Sequence, residues 1–76
     1  MKHVLDEEKL CQYWIGKSER VKNAVIYWLE HPKGTKGYKT QKQIAEEFGV
    51  SLGTIRQHLF ELRKRGIISL AKYEMV

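Results

Sequence analysis

A chain of 76 residues is the length of one domain, and its single cysteine excludes an internal disulfide. At that size only about 60% of the surface exposed by the unfolded chain is buried on folding, so the core is small, and no apolar run approaches the ~20 residues that a bilayer requires. The net charge of +5 points to a polyanionic partner such as nucleic acid, although a surplus of lysine also serves simply to keep a protein soluble.

A lone thiol suits a reducing, cytoplasmic setting. The N-terminal stretch MKHVLDEEKLCQYW carries acids where a signal peptide needs an uninterrupted apolar run, which places it in the fold. Asp6 is positioned to cap a first helix whose opening turn is acidic, as the helix dipole favours. Leu10, Cys11, Trp14 and Ile15 form its apolar stripe and Gly16 its stop, so residues 1–16 make one N-terminal helical unit. That stripe has to be covered. A second copy of the chain would make the unit a dimerisation element; the chain's own next helix would do equally well.

Ser18 caps the second helix, which carries Val21, Ala24, Val25, Trp28 and Leu29 on one face. Pro32 ends it, because the residue before proline avoids helical geometry. HPKGTKGYK follows, with two glycines and three lysines, and reads as a flexible basic loop with a short extended piece at residues 38–39. Thr40 opens the third helix, and TQKQ has the spacing of a capping box with Gln43 at the third helical position. Gln41, Ile44, Ala45 and Phe48 share its inner face, and Gly49 terminates it. Ser51 caps a fourth helix running to about Arg65, with Leu52, Ile55, Leu59 and Leu62 inward. Gly66 closes it, and IISLAKYEMV, residues 67–76, has the β-branched and aromatic content of a strand.

The break at Gly49 has a physical purpose. Ala45 is small enough for close helix approach, Gly49 can take the left-handed turn, Val50 fills the space beneath it, and Ser51 restarts the chain at a new angle. Two helices crossing steeply about a tight turn are a helix-turn-helix, whose second helix stands out and can enter a major groove. Residues 40–68 resemble the helix-turn-helix of bacterial and archaeal winged-helix transcription regulators. The nearest pattern is that of the gluconate-repressor family, with the multiple-antibiotic-resistance and arsenical-repressor types close by. The matching elements are Ile44–Ala45, Gly49–Val50–Ser51, Thr54–Ile55, Leu59, Leu62 and Gly66–Ile67–Ile68. Two departures stand out. Ten residues follow Gly66 with no Gly, Asn, Asp or Pro to turn a hairpin, so the wing is truncated to one short strand, expected to pair with residues 38–39. No effector or metal domain is expected, and the extra N-terminal helix suggests a small stand-alone binder of the kind seen in archaea and their viruses or plasmids.

The expected fold is therefore mainly α, a single winged-helix domain over 1–76 with the helix-turn-helix at 40–65. On the fourth helix Gly53, Gln57, Phe60 and Lys64 point away from Ile55, with Arg56 on the flank. The resemblance implies that Ser51, Leu52, Gly53, Thr54, Arg56 and Gln57 meet base edges of double-stranded DNA; arginine pairs with guanine and glutamine with adenine in the major groove. Thr40, Gln41 and Lys42 lie at a helix N-terminus suited to a phosphate. Lys36, Lys39 and, beyond them, Lys33 and Lys64 could reach the backbone, although a solvated loop and a dipole role at the helix end explain them too. Phe60, outward on the wheel, is expected to pack under the tail or the basic loop. Cys11 is expected to be a packing residue, and His58 a histidine at the edge of the core. His3, His31, His58 and Cys11 lack metal-ligand spacing, and no side chain is framed as a nucleophile or acid–base pair. The expectation is a homodimeric DNA-binding regulator with no cofactor, small-molecule ligand, membrane partner or enzymatic activity. The rival is a winged-helix protein–protein adaptor or a non-specific architectural DNA binder.

Overall fold

The computed structural model describes residues 3–69. They form four helices, α1 (Glu7–Tyr13), α2 (Glu19–Glu30), α3 (Gln41–Phe48) and α4 (Leu52–Lys64). Each start follows from a local cap. The Asp6 carboxylate accepts from the Lys9 amide at 3.0 Å, and the Ser18 hydroxyl accepts from Val21. Thr40 and Gln43 complete the reciprocal capping box expected of TQKQ, at 3.2 and 2.9 Å. Ser51 departs from this pattern: its extended backbone starts α4, but its side chain makes no capping bond.

Helices α2, α3 and α4 pack against one another in a three-helix body. Ala24, Val25, Leu29, Ile44, Ile55, Leu59 and Leu62 are fully buried within it. Burying each of the larger side chains is worth roughly 1.5–3 kcal/mol, which is how helices of 8 to 13 residues, marginal alone, are held. At the α3–α4 turn, Gly49 sits at φ 67°, ψ 36°, and the Val50 amide bonds back to the Ala45 carbonyl at 2.9 Å. An L-residue with a Cβ would pay about 1–2 kcal/mol in that left-handed conformation. The helix-turn-helix at 40–65 is thus formed as its sequence indicates, and a mainly helical domain with little strand is what is observed.

Several expectations need correction. α1 buries Leu10, Tyr13 and Trp14, whereas Cys11 is exposed and Ile15 is 77% exposed. The inward face follows i, i+3, i+4 from Leu10 because the covering surface is α4 of the same chain, where His58 meets both aromatic rings. Cys11 and Ile15 are left uncovered by the chain, so Cys11 is not a packing residue.

The strand pairing also differs. Val4 and Ile68 form an antiparallel bridge, with the Leu5 amide donating to the Ile67 carbonyl and the Ser69 amide to the His3 carbonyl, both at 2.8 Å. Among the described residues the partner of Ile68 is Val4 and not residues 38–39, and the 32–39 loop is folded upon itself. The Thr35 amide and hydroxyl both bond to the Pro32 carbonyl, and the Tyr38 amide bonds to Thr35. The Tyr27 hydroxyl donates to the Gly37 carbonyl at 2.6 Å, and the His31 ring stacks on Tyr27 at 4.0 Å. A Cβ on Gly37 would come within 3.0 Å of that imidazole. The loop is therefore tied to the end of α2 rather than loose. The strand expected beyond residue 69 lies outside the described residues.

Candidate nucleic-acid interface

Helix α4 places its side chains by period. Ile55, Leu59 and Leu62 turn inward and are fully buried. Gly53, Arg56, Gln57, Phe60, Arg63 and Lys64 face solvent. Ser51 is exposed at the turn, and Leu52 and Thr54 are half-buried at the junction with α3. A Cβ on Gly53 would meet nothing nearer than the Ser51 hydroxyl at 3.5 Å, so packing within the chain does not demand glycine there. What the missing side chain provides is a low backbone profile on the outer face, allowing close approach of another molecule.

Arg56 is not simply a solvated side chain. Its Nε donates to the Oε1 of Gln41 at 3.3 Å, linking α4 to the first turn of α3 across 15 residues of sequence. Gln41 is 5% exposed, the one buried polar residue among those described. Its side chain is turned into the domain rather than toward a phosphate. With Nε engaged, the terminal nitrogens of the guanidinium remain to form the two-pronged donor that a guanine edge accepts.

The other expected phosphate contacts divide similarly. Thr40 is exposed, with its hydroxyl already accepting from the Gln43 amide. Lys42 and Lys36 are exposed. Lys39 is engaged, forming an ion pair with Glu47 and lying 5.6 Å over the Tyr27 ring; the hydrogen bond to Glu47 holds its pKa above the usual lysine value. Lys64 and Arg63 complete the basic last turn of α4. Arg65 turns back, pairing with Glu61 at 2.9 Å and lying 5.3 Å from the Tyr13 ring.

Behind the outer face lies an aromatic cluster. The Tyr13 hydroxyl and His58 Nδ1 are 2.7 Å apart, the Trp14 and His58 rings are 5.2 Å apart, and the Lys17 ammonium lies 4.3 Å over the Tyr13 ring. His58 thus sits at the edge of the core with a partner, as expected. Burial, and then the nearby Lys17 charge, lower its pKa below 6.5, with Glu61 acting in the opposite sense. Burial also raises the Tyr13 phenol. The unfolded chain protonates His58 as pH falls through about 6.5, while the folded ring resists until a lower pH. Below about 6.5 the unfolded state binds more protons, so stability falls with pH until the folded ring itself titrates. The urea midpoint is expected to drop between about pH 7 and about pH 5, and to drop less in His58→Gln. Equal drops in the two proteins would assign the effect to other groups.

Two features were missed by sequence reasoning. Phe60, expected under the tail or loop, is 57% exposed in the middle of the outer face. The Gln41–Arg56 link joins two residues whose separate positions were legible, Gln41 one turn before Ile44 on the inner face, Arg56 beside Ile55. Among the described residues no group of His, Cys, Asp or Glu could hold a metal ion, and no described helix is long and apolar enough to cross a membrane.

What this arrangement offers is a rigidly seated helix with an open, basic and hydrogen-bonding outer face. No curated protein and no solved structure matches the chain. Residues 35–69, which carry α3, the Gly49 turn, α4 and the bridged residue Ile68, match the family described as winged helix-turn-helix DNA-binding.

Proposed function

We propose that the protein is a sequence-specific transcription regulator that binds double-stranded DNA inside the cell, laying α4 in the major groove. The observation that carries this is the outer face of α4: Arg56, Gln57 and Lys64 stand exposed on the same side of the helix as Gly53, and Arg56 is anchored from α3. Arg56 and Gln57 lie in the first half of the helix and read bases. Ser51, Gly53 and the half-buried Leu52 and Thr54 bring the start of the helix against the groove. Thr40, Lys42, Lys36 and Lys64 meet phosphates. Lys39 joins them only by leaving Glu47, and Gln41 acts there through its backbone alone.

The regulator works as a two-fold dimer, which would set two copies of α4 one helical turn, about 34 Å, apart. Leu5 and Ile15, 64% and 77% exposed beside α1, supply the apolar surface for that pairing. Sedimentation of the parent and of Ile15→Lys tests it; equal association states in the two would place the interface elsewhere.

The test of the reading itself is to select a preferred site from random duplexes and titrate variants on it and on random DNA at several salt concentrations. Arg56→Ala and Gln57→Ala are each expected to lose about 1–3 kcal/mol on the preferred site and far less on random DNA. Lys36→Ala and Lys42→Ala are expected to weaken both DNAs alike and to flatten the logarithmic salt slope by about one unit each. Equal losses on both DNAs for Arg56→Ala would favour a non-specific architectural role. An absence of DNA binding would favour the adaptor, for which the exposed Phe60 would be the contact.

A further inference from the structure

The outer face of α4 holds one residue that the proposed reading leaves unused. Phe60 is 57% exposed, whereas the other large side chains of its helix are buried or charged and polar. An exposed phenylalanine on a solvated face leaves apolar surface in water, and it stands between Arg56 and Gln57 on one side and Arg63 and Lys64 on the other. An apolar protein partner would have to desolvate that basic ring around the phenyl group. A nucleic acid satisfies both demands together, since its phosphates face the cations and its major groove offers one apolar group.

We propose that Phe60 is a further specificity-determining residue and packs on the C5-methyl group of a thymine in the major groove. This rests on the reading of α4 as the groove helix. Helix geometry sets the register. Gly53, Gln57 and Phe60 follow one another at four and three residues, so they form one row along the outer face. Phe60 lies about 4.5 Å along the axis from Gln57, little more than the roughly 3.4 Å rise between base pairs. A side chain there reaches the groove within a base step or two of the one that Gln57 reads. Glycine at 53 lowers the start of the row, and Phe60 fills the space farther along. Of the groups that base pairs display in the major groove, the thymine methyl is the apolar one, and phenylalanine is among the side chains that contact it.

The test replaces thymine by deoxyuridine, one position at a time, throughout the preferred site. This deletes the methyl and keeps every hydrogen-bonding group. Removing one buried methyl is expected to weaken the parent about fourfold at one position. In Phe60→Ala that sensitivity is expected to vanish, while the Gln57-dependent preference and the salt slope persist. Phe60→Leu, which keeps an apolar side chain, is expected to retain part of it. The inference is overturned if no thymine shows the effect in a parent that still selects its site, or if Phe60→Ala weakens thymine and deoxyuridine duplexes equally. Failure of the parent to select any site would overturn the groove-helix reading as well, and would be seen before any variant is made.

Discussion

Trp14→Ala is expected to lower the unfolding free energy by about 3–5 kcal/mol, the usual cost of emptying a buried indole site. A chain of 76 residues has roughly 4–11 kcal/mol in all, at about 0.05–0.15 per residue, so the variant would lose from about a quarter of its stability to all of it. Trp14 is 4% exposed, with Tyr13 edge-on at 5.0 Å and His58 at 5.2 Å. The indole is therefore the piece that couples the segment around α1 to α4. Its Nε1 is buried and finds no hydrogen-bond partner among the described residues. An unpaired buried donor costs about 1–3 kcal/mol, so Trp14→Phe removes a penalty while keeping most of the ring, and its loss should be well below that of Trp14→Ala. Urea unfolding of the three proteins checks both statements. A loss below about 1 kcal/mol for Trp14→Ala would mean that the α1 segment is dispensable, as it would be if the three-helix body were self-sufficient.

Ile55→Ala is expected to cost about 2–5 kcal/mol. Ile55 is fully buried in the core that α2, α3 and α4 share, and a site walled by three helices cannot collapse around a smaller side chain. For a domain of this size each kcal/mol moves the thermal midpoint by about 4–8 °C, so a fall of more than about 8 °C should be seen. The next residue along makes the contrast. Arg56→Ala removes an exposed side chain whose one described bond is to the buried Gln41, and the stability change should stay at about 1–2 kcal/mol, the cost of taking a donor from the Gln41 oxygen. Its expected effect lies on DNA. One helix thus separates buried core from exposed face by the 100° between neighbouring residues. If Arg56→Ala were as unstable as Ile55→Ala, the Gln41 link would be holding the fold rather than the guanidinium.

What the sequence made legible was chemistry acting over one turn. Asp6, Ser18 and the Thr40–Gln43 pair announce helix starts because each cap lies within three residues of its partner. Gly49 announces the turn because only glycine adopts φ near +67° without cost. The outward set on α4 follows from helical period alone, which is why Arg56, Gln57 and Lys64 were found. What was not legible depends on a neighbour distant in sequence. In α1 the local pattern places Cys11 and Ile15 on the inner face, and His58, 45 residues from Tyr13, brings Tyr13 there instead. Lys39 looked available for a phosphate because nothing in its own loop reveals Glu47 beneath it. The loop looked mobile because a lysine- and glycine-rich composition does not show that Tyr27 ties it down. Gln41 sat at a helix N-terminus, where backbone donors and a capping position argued for an anion; its burial against Arg56 reassigns the side chain.

The antiparallel bridge between Val4 and Ile68 joins positions 64 residues apart (68 − 4). Closing a loop of that length in a disordered chain costs about 4 kcal/mol or more in entropy, far beyond what two backbone hydrogen bonds return. The clasp therefore cannot nucleate folding. It gains stability only after the helices have shortened the distance between its two halves and offer Ile67 and Ile68 a core to enter, so it forms late. Its Leu5 and Ser69 amides are expected to exchange by local opening, sooner than those of α2 and α4, although each opening has to draw Ile67 and Ile68, 4% and 2% exposed, out of the core. The bridged residue is Ile68, just past the end of α4, and its neighbour Leu5 leads directly into α1. Each such opening would loosen α4 at its C-terminal end and leave the Gly49 turn and the first half of the helix, with Arg56 and Gln57, in place.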